Sequence, residues 1–104
     1  MPSKGLRTER DNGTPVGFQA LTVSSNAAGV GLTLPANQMV TYALVECQGQ
    51  PIVVRFDGPA PTTTVGHIYN PGQTDVWNFQ EILKALMIRQ GGADGTLAVT
   101  YYKS

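Results

Sequence analysis

Apolar and polar residues alternate along most of the chain, and the alternation is broken by short runs of Gly, Pro, Asn and Ser. VGFQALTV (Val16–Val23) sets Phe18, Ala20 and Thr22 on one face and Leu21 and Val23 on the other. That period of two predicts a strand. SSNAAG (Ser24–Gly29) is a turn cluster. VGLTLP (Val30–Pro35) predicts a short strand closed by a proline that has no amide to donate. After PANQ, the segment MVTYALVECQ (Met39–Gln48) is the longest strand candidate, rich in β-branched and aromatic residues. GQP turns the chain into IVVRF (Ile52–Phe56). There Ile52, Val54 and Phe56 share one face and Val53 and Arg55 the other, as in a half-buried antiparallel strand.

The run FDGPAPTTTVGHIYNPG (Phe56–Gly72) invites a ligand-loop reading, but its chemistry is that of corners. Asp57-Gly58 favours a turn, because glycine adopts positive φ without strain. Pro59 and Pro61 stiffen the path. Thr62–Val65 suits an extended edge, His67-Ile68-Tyr69 continues it, and Asn70-Pro71-Gly72 turns again. DVWNFQEILKALMIRQGG (Asp75–Gly92) supports two readings. Phe79, Ile82, Leu83, Leu86 and Met87 fall at helical spacing, whereas Leu86 and Ile88 alternate with Met87 and Arg89. The favoured reading is one helical turn near Asn78–Leu83 and a strand from Ala85, pairing as a hairpin with TLAVTYY (Thr96–Tyr102) across GGADG. The spacing of about seven short strands predicts an all-β fold, an antiparallel β-sandwich or jelly-roll-like barrel with one short helix near residues 78–84. Residues 1–15 hold Leu6 as their one large aliphatic side chain and read as a flexible arm, leaving residues 16–104 as a single domain.

Composition changes this picture in one respect. Charged residues are 13% of the 104, about half the usual share, so the surface must be built largely from Thr, Ser, Asn, Gln and Gly. Such a surface is expected to be partly covered by neighbours. The seven basic and seven acidic residues cancel, which gives no bulk attraction to nucleic acid or anionic lipid. No apolar run is long enough to span a membrane, and no apolar segment follows Met1 as in a signal peptide. With Cys47 alone, an intrachain disulfide and a cysteine-based zinc site are both excluded.

Candidate chemistry is sparse. His67 is the only histidine and would need a carboxylate or nucleophile brought to it by the fold. Cys47 lies inside a strand pattern, where a buried inert thiol is usual. The seven carboxylates are scattered, with neither a calcium loop nor a shared helix face. No phosphate-loop or dinucleotide motif occurs, so no cofactor is expected. Trp77, Phe79, Tyr101 and Tyr102 read either as core or subunit interface or as a sugar-stacking platform. Tyr101 and Tyr102 point to opposite faces of one strand, which leaves one of them for a partner.

The order of GFQALTVSSNAAGVGLTLP, then MVTYALVECQGQPIVVRFDGPAPTTTVGHIYNPGQTDVW, then LMIRQGGADGTLAVTYYK resembles small virion-associated structural proteins of tailed bacteriophages. The likeness spans about Phe18 to Lys103 and lies in strands and turns rather than in a chemical signature. It implies a non-enzymatic role: a capsid decoration or cement protein, made in the host bacterial cytoplasm, that binds the head shell in many copies. Alternatives are a tail or head–tail junction component, or a carbohydrate-binding module on a host-recognition structure. The implied partners are further copies of the chain, as dimer or trimer, and a major capsid or other virion protein. Expected contacts are Leu6, Arg7 and Arg10 of the arm, with Tyr69, Trp77 and Tyr102. Removal of residues 1–14 is expected to leave the fold intact and to weaken assembly. Circular dichroism and native mass of the truncated chain check this, and a truncated chain that unfolds would place the arm in the core.

Overall fold

The computed structural model describes residues 13–104. Seven strands and one short helix follow one another as β1 (Thr14–Val23), β2 (Tyr42–Gln48), β3 (Ile52–Arg55), β4 (His67–Tyr69), β5 (Thr74–Asn78), α1 (Phe79–Lys84), β6 (Leu86–Arg89) and β7 (Gly95–Lys103). They form two antiparallel sheets packed face to face as a β-sandwich, one in the order β1-β7-β2-β5 and the other β4-β3-β6. The all-β expectation holds, and so does the helical turn.

The register explains the core. In the four-stranded sheet, Trp77 opposes Ala43, which opposes Tyr101 across the next ladder, while Val45 faces Val99 and Cys47 faces Leu97. All of these point inward and are buried. From the three-stranded sheet Ile52, Val54, Tyr69 and Met87 meet them. Burying each such aliphatic or aromatic side chain contributes on the order of 1.5–3 kcal/mol.

Helix α1 is short because both of its ends are fixed. Asn78 caps it by accepting a hydrogen bond from the Glu81 amide through Oδ1, and Glu81 Oε1 accepts from the Asn78 amide in return, each at 2.9 Å. At the other end Ala85 is already extended, and Leu86 enters the ladder with β3. A helix running on to Gly91 would give up that ladder.

Four expectations are corrected. Val30–Pro35 is not a strand. Val30 alone bridges, exchanging two backbone bonds with Met87, and Leu32 and Leu34 then lean on the core. Thr62–Val65 is a tight turn rather than an extended edge, since Thr62 and Val65 bond each other's backbones and Thr62 Oγ1 accepts from the amides of Thr64 and Val65. Strands β6 and β7 are not a hairpin. β6 pairs with β3 and β7 with β1 and β2, so the GGADG turn carries the chain from one sheet to the other. Finally, β3 is buried on both faces, Val53 as fully as Ile52 and Val54.

The burial of Val53 answers the question posed by the proline-rich run. Val53 lies between Ile68 and Ile88 on the outer face of the three-stranded sheet. The loop of residues 57–66 folds back over that face, with Pro61 buried and Gly66 directly against Val53. Arg55 starts the fold-back with two hydrogen bonds to Asp57, at 2.9 and 2.7 Å. A methyl group on Gly66, where φ is +141°, would come within 2.6 Å of Val53 Cγ1 and 3.0 Å of Val54 O. Gly66→Ala is therefore expected to destabilise the fold by about 2 kcal/mol or more. Gly58→Ala, also at positive φ but with open space around it, should cost about 1 kcal/mol from backbone strain alone. Urea denaturation of the two variants separates the two effects.

Candidate functional site

Among the described residues, no loop crosses most of the outer face of the four-stranded sheet. Cross-strand neighbours give its rows: Phe18, Thr100, Leu44 and Val76, then Ala20, Ala98, Glu46 and Thr74, then Thr22, Thr96 and Gln48. Glu46 is the single charged side chain of these rows, and it accepts a hydrogen bond from Gln48 Nε2 at 3.2 Å. Phe18 is 67% exposed at one border. A shallow groove of about 260 Å³ runs from Phe18 to Thr74 over Leu44, Ala98 and Thr100. With one charge, flat and partly apolar, this surface suits protein contact better than it suits water. Small and β-branched residues put it there, since alternation sends every second side chain outward.

One end of this face is closed. Tyr42 and Tyr102 stack with centroids 5.0 Å apart and planes 4° from parallel, and both are buried. Gly13 sits on the Tyr42 ring so closely that a side chain there would overlap it. Tyr102 does point away from the core, as alternation requires, but its ring is spent on Tyr42.

A second concavity of about 570 Å³ opens along β4 and β5, lined by Phe56, His67, Tyr69, Gln73, Asp75 and Glu81. Its acids are engaged in building the fold. Asp75 accepts from the Tyr69 hydroxyl at 2.7 Å and from the Val76 amide at 2.8 Å, and Glu81 holds the cap of α1. Trp77 Nε1 donates to the same Tyr69 hydroxyl at 3.2 Å. His67 packs obliquely near Phe56, and among the described residues no carboxylate is hydrogen-bonded to it. Among the same residues no group of three or more His, Cys, Asp or Glu side chains is placed to hold a metal.

No family model, curated protein or solved structure matches the chain. The geometry must therefore carry the functional argument.

Of the six contacts expected from sequence, Leu6, Arg7 and Arg10 lie outside the described residues. Tyr69, Trp77 and Tyr102 are brought into the fold itself. Trp77 is fully buried, edge-on to Phe56 and to Tyr69, and so presents no ring face to a sugar. The exposed aromatic that sequence reading did not single out is Phe18. Its signal was present, since it shares a strand face with Ala20 and Thr22, where a core-facing phenylalanine would have larger companions.

Burial acts on three titratable groups. It raises the Cys47 thiol, which is further opposed by Glu46 and partly relieved by a backbone hydrogen bond. It raises the Tyr69 phenol, with the Asp75 carboxylate adding to the effect. It pushes Tyr101 from 10.0 up to about 12. The Tyr101 hydroxyl donates to Gln19 Oε1 at 2.8 Å. A phenol kept neutral in the folded state favours folding fully below its unfolded value, and that contribution is lost as pH rises through the folded one. Stability is therefore expected to fall between about pH 10 and about pH 12. Urea midpoints across that window check this. Tyr101→Phe should lower the midpoint at neutral pH and flatten its alkaline decline.

Proposed function

We propose that the chain is a non-enzymatic structural protein of a tailed-phage virion, and specifically a capsid decoration or cement protein that binds the head shell in many copies. The observation that carries this reading is the open outer face of the four-stranded sheet, with Glu46 as the one charge in its rows and Phe18 exposed at its border. A free protein gains nothing from leaving such a face to water, whereas a lattice component uses it for contact. The other sheet, whose outer face is covered by the chain's own loop, supplies the contrast. The resemblance of Phe18–Lys103 to small virion proteins points the same way.

The mechanism is repeated modest binding. Each copy contributes a small contact, and the effective concentration set by a shell of linked sites makes the decorated lattice stable without any one strong site. Hydrogen-bonded sheet faces rich in threonine fit this role, because their rigidity means little entropy is lost on docking.

Tailed-phage particles whose genome encodes the chain, purified and banded by density, provide the test. The chain is expected in intact particles at a copy number comparable to that of the shell protein, by quantitative mass spectrometry, and it should be lost when decoration is stripped by mild heating. Absence from the particles would overturn the virion reading. Presence at a few copies per particle would replace the head shell with a tail or junction position.

A further inference from the structure

Four strand edges border the two sheets; two of them are closed and a third is very short. At β6 the bridge to Val30 uses the Met87 amide and carbonyl, and the Arg89 amide donates to Ser24 O at 2.9 Å. Along β5 the amides of Val76 and Asn78 are taken by the carboxylates of Asp75 and Glu81, which also put negative charge where an incoming strand would lie. β4 is three residues long. The fourth edge, β1, is different. It runs for ten residues without a charged side chain, and among the described residues its only backbone ladder is with β7. Long uncharged edges are what folded proteins usually avoid.

We propose that β1 pairs antiparallel with β1 of a second copy, joining two four-stranded sheets into one continuous sheet of eight strands about a twofold axis. The argument for a second copy, rather than another partner, is the charge pattern. In a twofold pair the residue on the axis meets its own copy, so a charge there would face a like charge. β1 has none, and the nearest charge in these rows, Glu46, lies two strands in from the edge, about 10 Å away. Pairing is regular from Gly17 to Val23, beyond the bulge at Pro15/Gly17. The middle of that stretch is Ala20, a small residue suited to the axis. With Ala20 opposite its counterpart, Phe18 of each copy lies against Thr22 of the other, covering the most exposed aromatic of the strand. The open outer faces of the two sheets then become one surface with a single orientation. The inference rests on the assembly reading for its purpose, but its test does not.

Native mass of the full-length chain is measured by light scattering from micromolar to sub-millimolar concentration. The wild type is expected to be a dimer that dissociates on dilution. Ala20→Lys and Ala20→Glu should each weaken dimerisation at least about tenfold by setting like charges face to face. Mixing the two variants should restore a dimer, which unfolded variants would not do. Thr74→Lys, on the same sheet face but at the far edge, should leave the dimer unchanged. A wild type that stays monomeric, an Ala20→Lys variant that still dimerises, or a mixture that fails to recover would each overturn β1 pairing. Detection of the chain in particles decides the virion reading separately, so a monomer found there would overturn the dimer and not the role.

Discussion

The structure turns on one hydroxyl. Trp77 is fully buried between the sheets, and its indole N–H has to find an acceptor inside or forfeit about 1–3 kcal/mol of desolvation. Tyr69 supplies that acceptor from the opposite sheet and donates its own hydroxyl hydrogen bond to Asp75, on the strand that bears Trp77. The bond therefore runs β5 to β4 and back to β5, fixing the spacing and register of the two sheets at their open side. Asp75 in turn holds the Val76 amide, so the link that closes the core also caps the edge beside it. At the other side of the core the Tyr101 hydroxyl does comparable work on Gln19, which also accepts the Thr33 amide. Between these two polar ties the interior is apolar, and no polar or charged residue among those described is fully buried.

The two sheets treat their outer faces in opposite ways. The three-stranded sheet spends a proline-rich loop to cover Val53, and Gly66 is the residue that allows the loop to come that close. The four-stranded sheet receives no such cover from the described residues except at the Tyr42–Tyr102 stack. Its exposed rows are filled with Thr, Ala and Gln, side chains that tolerate water and yet leave a flat surface when water is displaced. The covered face carries the aliphatic row Ile68, Val53 and Ile88, which has more to gain from a loop over it.

Much of the fold was legible because alternation is a local property. The inward face of β7 follows from Leu97 and Val99 being more apolar than Thr96 and Thr100, and the cap of α1 follows from Asn78 and Glu81 standing three apart. What alternation does not contain is sheet membership. GGADG looks like a hairpin turn, and nothing within it tells that the strands on either side belong to different layers. Thr62-Thr63-Thr64 shows the limit of propensity: β-branched residues favour extension, but the Thr62 hydroxyl can bond the next amides locally, and under a crowded sheet face that alternative wins. For the site, the large aromatics drew attention to Trp77 and Tyr102. Size argues for burial as strongly as for contact, and it is the small companions Ala20 and Thr22 that mark Phe18 as outward.

The pairing of β1 with β7 also sets an order of events during synthesis. β1 is the first strand described and β7 the last, and β7 is the strand that joins β1 to the rest of its sheet. While the chain emerges from the ribosome, Val16–Val23 has no ladder to join until Gly95–Lys103 has been made. The sheet can only close after translation has passed almost the whole domain, and for that interval an uncharged, β-prone segment waits unpaired. Soluble production of this chain is thus a race between the arrival of its final strand and the meeting of two unfinished copies.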